Sequence, residues 1–222
     1  MKRKTMAIIV CLLLFMTVAR IDAGKPKTIE IYPDESIQAG IDEARPGYTV
    51  LVHSGTYYEN LTIDKKVKLV GENVTIDGWG ESVVNITSNN VVFSGFTVLD
   101  GNKGIQIWYS NGCSILNNNI SNSNLDNIHL ESSNHNKIEG NQLSEGYVGI
   151  RLNNSHHNNI LNNNASNMIY SGQGIILESS NSNIIKDNII TNNYIGIFVY
   201  SSFKNTLLNN FFSGNTINLR YD

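Results

Sequence analysis

The chain has 222 residues, of which only 16% are charged, and its formal net charge is −3. This length supports one large domain or two small ones with a sizeable core, and it excludes a miniprotein held together by disulfides. The two cysteines, Cys11 and Cys113, provide no disulfide framework. All 34 asparagines stand at or after Asn60, so the later part of the chain has a specific demand for this residue.

The N-terminus has the three-part layout of a secretory signal. Basic residues at positions 2–4 precede an apolar run over 6–18, and Ala23 suits signal peptidase. The run is shorter than the roughly 20 residues that a membrane-spanning helix needs. We therefore predict a signal peptide over 1–23, no stable membrane insertion, and a secreted, periplasmic or cell-surface location. Without this segment 12 basic residues face 18 acidic ones, so nucleic acid is disfavoured as a partner.

Residues 24–222 are predicted to form a single domain, in which 28–80 supply a cap and the first coils. Asp34 or Ser36 is placed to cap a short helix within 34–45 that covers the open apolar end of the domain. Strands are then predicted over 50–52, 61–63, 67–69 and 74–76, with turns at 54–55, 64–65 and 71–72 between them.

Residues 81–222 form regular, Asn-rich coils of about 22 residues. A first motif, apolar-x-apolar after Gly or Asn, places its leading isoleucine at Ile105, Ile128, Ile150, Ile175 and Ile197. A second motif, with an apolar residue three positions before its Asn, places that residue at Asn118, Asn141, Asn163, Asn188 and Asn210. Both motifs step by 23, 22, 25 and 22 residues, so they share one register. This pattern predicts an all-β solenoid of stacked parallel strands, in which Asn tolerates left-handed corners and bonds to the amides above and below.

Several early segments carry a resemblance to a known superfamily. The segments 36–42 (SIQAGID), 46–50 (PGYTV), 54–57 (SGTY) and 68–71 (KLVG) resemble the start of many secreted proteins of the pectin-lyase-like superfamily. These include NosD-like periplasmic copper proteins and carbohydrate-binding and sugar-hydrolysis domains. The resemblance extends over nearly all of 28–222 and implies a right-handed parallel β-helix with a saccharide-related or copper-related role. It assigns no role to any residue.

In each strand of the first motif, the residue between the apolar positions and the residue after them are predicted to face outward. The first column contains Gln106, His129, Arg151, Ile176 and Phe198, and the second contains Trp108, Glu131, Asn153, Glu178 and Tyr200. Aromatic rings can stack on sugars, and charged groups can hold their substituents. We therefore predict a non-catalytic module that binds or organises polysaccharide or cell-surface glycan through seven residues, namely Trp108, His129, Glu131, Arg151, Glu178, Phe198 and Tyr200.

Catalysis by the same face is the first alternative. Glu131 and Glu178 stand two coils apart, which places their backbones roughly 9.6 Å apart with Arg151 between them. Such a pair suits the acid and base of an inverting hydrolase, and an arginine can hold an anionic sugar. The alternative is thus a lyase, epimerase or hydrolase of uronic-acid polymers. Against it, simple ladder attraction explains an arginine between two glutamates, and the columns show no dense acidic cluster.

Copper handling is the second alternative. His135 and His157 each precede the second motif's apolar residue by three positions, so they are predicted to stack in one turn column. Two imidazoles about 4.8 Å apart can share a soft divalent ion. The opposing interpretation is a polar turn ladder, because Gly112 and Ser182 share the column and no third ligand is predicted. No cofactor is assigned on this basis.

The last coil is predicted to be incompletely covered. The chain reaches Asp222 shortly after a strand begins near Leu219, which is expected to leave Ile197, Val199, Leu207 and Phe212 exposed. Uncovered strand edges pair readily with other chains. End-to-end self-association or docking to a partner module through this coil is therefore expected.

Overall fold

The computed structural model describes residues 27–222, which form a parallel β-helix of 23 strands with one α-helix. The fold class predicted from the repeat is confirmed. Successive coils add strands to two parallel sheets, one of eight strands and one of fifteen. The signal peptide predicted over 1–23 lies outside the described residues.

The helix, α1 (Ile37–Glu43), covers the N-terminal end of the solenoid. Ser36 is its N-cap, and the Ser36 hydroxyl oxygen accepts a hydrogen bond from the backbone N–H of Ala39 at 3.2 Å. Glu59 also accepts hydrogen bonds from the first two helical N–H groups, at 2.7 and 3.2 Å, which places negative charge at the positive end of the helix dipole. The apolar side of α1 is buried. Ser36, and not Asp34, is therefore the cap.

The fifteen-stranded sheet contains the early strands and two stacks of three-residue strands. Numbered along the whole chain, the early strands are β1 (Thr28–Ile31), β2 (Thr49–Val52), β3 (Gly55–Tyr57), β5 (Lys68–Gly78) and β7 (Val92–Asp100). One stack is β9 (Ser114–Leu116), β12 (Lys137–Glu139), β15 (Asn159–Leu161), β18 (Ile184–Lys186) and β21 (Thr206–Leu208). The other is β10 (Asn119–Ser121), β13 (Gln142–Ser144), β16 (Asn164–Ser166), β19 (Ile189–Thr191) and β22 (Phe211–Ser213). Strand β7 joins the stacks, since it pairs with β9 near its start and with β10 near its end.

The eight-stranded sheet takes one strand from each coil. Its strands are β4 (Leu61–Ile63), β6 (Ser82–Ile86), β8 (Lys103–Trp108), β11 (Asp126–Glu131), β14 (Val148–Asn153), β17 (Gln173–Glu178), β20 (Ile195–Tyr200) and β23 (Ile217–Tyr221). The leading isoleucines of the first motif are partners in adjacent strands, as the shared spacing predicts. Their side chains are fully buried and form the core together with the apolar residues of the other sheet. The outer side of this sheet does not contribute to this core.

Two positions of each coil explain the glycines and asparagines of the repeat. A methyl group on Gly149 would lie 2.5 Å from the carbonyl oxygen of Gly174 in the next coil, so this coil needs a glycine there for close backbone approach. In the second motif the buried Asn163 amide bonds to the coils on both sides, while the preceding Asn162 adopts the left-handed backbone with φ 53°. The two roles that we expected of one asparagine are therefore divided between neighbours.

Two expectations from the sequence are wrong in detail. The predicted strands over 67–69 and 74–76 belong to one strand, β5, and the expected turn at 71–72 is an irregularity within its pairing to β7. At the other end, Ile197 and Val199 are buried because β23 pairs along β20 and covers them. Leu207 and Phe212 are only partly buried. The open surface of the last coil is thus smaller than the sequence indicates.

Among residues 27–222, no helix is both long and apolar enough to cross a membrane.

Candidate functional site

The outer side of the eight-stranded sheet carries the two predicted columns of side chains, and we call this surface the front face. His129 pairs with Gln106 on one side and Arg151 on the other, and the same register continues along the sheet. In the second column Glu131 stands beside Trp108 and Asn153. The sequence therefore predicts the order of the columns correctly.

The first column is more covered than its predicted outward direction indicates. Gln106, His129 and Ile176 are buried, whereas Trp108 and Tyr200 of the second column keep 42% and 46% of their surface exposed. His129 is covered because carboxylates approach both of its ring nitrogens. The front face thus has a nearly closed polar centre with exposed aromatic rings toward its two ends.

The centre of the front face is built around Asp126, which begins β11 and is only 3% exposed. Its carboxylate lies 2.7 Å from His129 Nδ1 and accepts hydrogen bonds from Arg151 Nε at 3.1 and 3.2 Å. Arg151 also donates from Nη1 to Glu178 at 3.1 Å. We call this group, together with Glu131, the Asp126 cluster.

Opposite charges keep the buried ions of the cluster ionised. Burial by itself would raise the pKa of Asp126, but the hydrogen bond from His129 and the charge of Arg151 outweigh it and hold that pKa below its usual range. Burial would likewise lower the pKa of Arg151, but Asp126 and Glu178 raise it above its usual value. The buried pair therefore stays charged at neutral pH.

Glu131 occupies the other side of His129 and has mainly neutral partners. It accepts a hydrogen bond from Asn153 Nδ2 at 2.8 Å, and His129 Nε2 lies 3.5 Å away. Arg151 stands between Glu131 and Glu178 in the register, but its guanidinium turns to Asp126 and Glu178. Because Nδ1 of His129 donates to the ionised Asp126, its Nε2 is directed toward the Glu131 carboxylate.

A cavity of about 410 Å³ lies beside the cluster, toward the N-terminal coils. Glu81, Asn85, Lys103, Gln106 and Trp108 line it. Lys103 bridges to Glu81 at 2.8 Å, while Oδ1 of Asn85 is buried and has no hydrogen-bond partner in the described chain. A cavity of about 430 Å³ near α1 is less informative, because its residues Ser36 and Glu59 already cap the helix.

The opposite end of the front face is aromatic. The rings of Phe198 and Tyr200 lie 6.2 Å apart at an angle of 42°. The Arg220 guanidinium stands 5.1 Å over the Phe198 ring and is paired with Asp222 at 2.6 Å. Tyr200 is therefore the more accessible of the two predicted sugar-stacking rings.

The predicted histidine column is present in a turn on another side of the coil. The rings of His135 and His157 lie 5.1 Å apart with their planes 6° from parallel. Both residues have a φ of 57°, the left-handed turn conformation that Gly112 and Ser182 also adopt in this column. The stack therefore belongs to a repeated corner of the solenoid.

The two columns predicted from the sequence do not contain Asp126, although it is the buried centre of the site. Its position pairs with Lys103 and Val148, so it belongs to a third column two residues before the leading isoleucine. The feature of the sequence that could have identified Asp126 is a single acidic residue in that column, close to His129. Lys103 lies in the same third column, Asn85 pairs with Gln106 and extends the first column by one coil, and Glu81 precedes β6.

The fold and this site define a parallel β-helix protein with a polar and aromatic outer face. Residues 41–222 match the family described as "Periplasmic copper-binding protein (NosD)", and the chain belongs to that family. No curated protein sequence matches it significantly.

Several solved structures with a similar fold are those of enzymes that act on polysaccharides. An alginate lyase from Paenibacillus sp. is 14% identical, with a TM-score of 0.74 over 83% of this chain and 75% of that one. The A-module of the mannuronan C-5 epimerase AlgE6 from Azotobacter vinelandii is 12% identical, with a TM-score of 0.64 over 90% and 65%. The pectate lyase Pel9A is 12% identical, with a TM-score of 0.58 over 82% and 70%. At these identities the likeness shows the parallel β-helix fold alone.

The described residues do not fit a copper ion. The lone pair of an imidazole nitrogen lies in the ring plane, so the parallel rings of His135 and His157 do not direct theirs at one point. Within 27–222, no three His, Cys, Asp or Glu side chains are grouped to hold a metal. Cys113 is buried, and burial raises the pKa of its thiol, whereas the thiolate is the metal-binding form. The family's link to copper therefore supplies no mechanism for these residues.

Proposed function

We propose that this chain is an exported, non-catalytic saccharide-binding β-helix module and that the front face is its binding surface. The observation that carries the proposal is the exposed Trp108, which stands next to the polar Asp126 cluster and lines the 410 Å³ cavity. Sugar sites combine an apolar platform with a few fixed polar groups, and the rigid sheet holds both. The periplasmic family and the N-terminal signal pattern support a secreted, periplasmic or cell-surface location.

A glycan array followed by calorimetry on the best oligosaccharide tests this proposal. We expect Trp108→Ala to weaken binding about tenfold or more, which corresponds to about 1.4 kcal/mol. Trp79→Ala is the matched control, because Trp79 is the other tryptophan of the chain, is 59% exposed, and lies outside the front face. Equal loss in both variants, or none in either, contradicts the proposed surface.

An enzyme acting on polysaccharide is the second candidate, and one contact favours it. Asp126 holds His129 Nδ1 at 2.7 Å, and this orients Nε2 toward Glu131 as in an acid–base pair. In this alternative Glu131 and Glu178 supply the carboxylates, and Arg151 holds Glu178 in place. Turnover of polysaccharides that is lost in Glu178→Gln and His129→Gln would establish it. Retained binding without turnover supports the non-catalytic module.

Pairing between copies through the last coil is a separate part of the proposal. Its support is that β21, β22 and β23 are outermost strands of their sheets and that Phe212 is only partly buried beneath them. Light scattering on the purified protein should give a discrete dimer that Phe212→Lys converts to monomer. A monodisperse wild-type monomer at high concentration contradicts this pairing.

A further inference from the structure

Every lysine and arginine in the strands of the front face is already paired with a carboxylate. The strands of the eight-stranded sheet contain three lysine or arginine residues, and carboxylates pair with all of them. Lys103 bonds to Glu81 at 2.8 Å, Arg220 bonds to Asp222 at 2.6 Å, and Arg151 bonds to two carboxylates of its own cluster. A sugar carboxylate would have to share its cation with a carboxylate that is already bound there.

The anions are in excess. Those strands carry Asp126, Glu131 and Glu178, and the pairs described above add Glu81 and Asp222. Five carboxylates therefore face three permanent cations. The surface has a net charge of about −2 with His129 neutral, and about −1 with His129 protonated.

Two of these carboxylates lie beside exposed aromatic rings. Glu131 pairs with Trp108 across adjacent strands, and Glu178 pairs in the same way with Tyr200. Glu131 has neutral hydrogen-bond donors and the ring of His129 as partners, and one oxygen of Glu178 makes no hydrogen bond among the described residues. A sugar ring stacked on either aromatic side chain would bring its substituents close to a carboxylate.

The chemistry of these neighbours selects among sugars. A protonated amine gains a charge-assisted hydrogen bond from a carboxylate and cation–π attraction from an aromatic ring. A uronate would instead place a third negative charge beside Glu131 and Glu178 without a free cation, and such a contact is repulsive.

We infer that the front face binds an amino-sugar polymer with free, protonated amines and rejects uronic-acid polymers. This inference rests on the proposed function, since it concerns the same surface. It departs from the substrates of the lyases and epimerases that share the fold.

Calorimetry at pH 6 and low salt, with the full chain, tests the inference. The probes are hexamers of glucosamine, N-acetylglucosamine and galacturonic acid. The two glucosamine hexamers differ only in acetylation of the amine, and the galacturonic acid hexamer supplies a negatively charged sugar of the same chain length. We expect the glucosamine hexamer to bind about fivefold tighter than the acetylated one and at least tenfold tighter than the uronate. Added salt should reduce the first of these differences.

Variants that remove one negative charge test whether Glu131 is the carboxylate that contacts the amine. Glu131→Gln should weaken glucosamine binding about fivefold, which corresponds to about 1 kcal/mol, and leave the acetylated hexamer unchanged. Glu139→Gln is the matched control, because it makes the same charge change in β12 of the other sheet.

The outcomes separate the inference from the proposed function. Tighter binding of the uronate, or equal binding of the two glucosamine hexamers, overturns the inference and leaves saccharide binding intact. Absence of binding to every saccharide overturns both. The wild-type comparison decides the inference even where a variant does not fold.

Discussion

The buried amide of Asn163 provides the sharpest test of how this solenoid is held together. Its Nδ2 donates to Ile138 O at 2.9 Å and to Asn188 Oδ1 at 3.1 Å. Its Oδ1 accepts from the backbone N and from Nδ2 of Asn141, at 3.0 and 2.9 Å. Replacement by alanine removes all four hydrogen bonds from the interior of one corner.

The size of the stability loss depends on which buried groups are left without a hydrogen-bond partner. Asn141 Nδ2 keeps its bond to Ile115 O, and Asn188 Oδ1 still accepts from the backbone of residue 163. The backbone N–H of Asn141 loses its partner, whereas the carbonyl of Ile138 lies in β12, which is paired with β15. A buried polar group without a partner costs about 1–3 kcal/mol, so we expect Asn163→Ala to lower the free energy of unfolding by about 1–3 kcal/mol.

Urea unfolding and thermal melting measure this loss. For a domain of this size, about 1–3 kcal/mol corresponds to a decrease in Tm of about 2–12 °C. Asn164→Ala is the matched control, because the side-chain bond of Asn164 to Gln142 is exposed, and its effect should stay within about 0.5 kcal/mol. Affinity for saccharide should not change in either variant. If Asn163→Ala has the same Tm as the wild type, the buried ladder of asparagine side chains does not stabilise the fold.

Three further predictions address the stacking of coils and the charged cluster. His156 Nδ1 accepts the backbone N–H of Asn181 at 3.0 Å, in a column where asparagine otherwise does so, and we expect His156→Ala to lower Tm by a few degrees and His156→Asn to preserve it. Gly174→Ala should cost about 1–3 kcal/mol in urea unfolding, because the new methyl would lie 2.6 Å from the carbonyl oxygen of Gly196. Because the pKa of Asp126 is lower in the folded protein, its ionisation stabilises the fold above the unfolded pKa of about 3.9, and this contribution is lost as pH falls through the folded pKa. Urea unfolding between pH 3 and 7 should therefore show a smaller acid-induced loss in Asp126→Asn than in the wild type.

The repeat in the sequence determined the solenoid and the order of its columns. Two motifs with the same steps leave one parallel register, because a slip by one residue would turn every apolar side chain out of the core. The pairing of His129 with Arg151 and of Glu131 with Asn153 follows from this spacing alone. The capping role of Ser36 could also be predicted from the sequence, because an N-cap side chain bonds to backbone groups only two or three residues away.

The tertiary structure decided which outward side chains are covered and which groups cover them. A register states which backbones are neighbours, but long side chains extend across the roughly 4.8 Å between strands and choose partners in other columns. Arg151 turns to Asp126 in place of Glu131, and this closes the centre of the front face and leaves Glu131 without a permanent cation. The charge that a sugar would meet there depends on those directions, which no one-dimensional spacing contains.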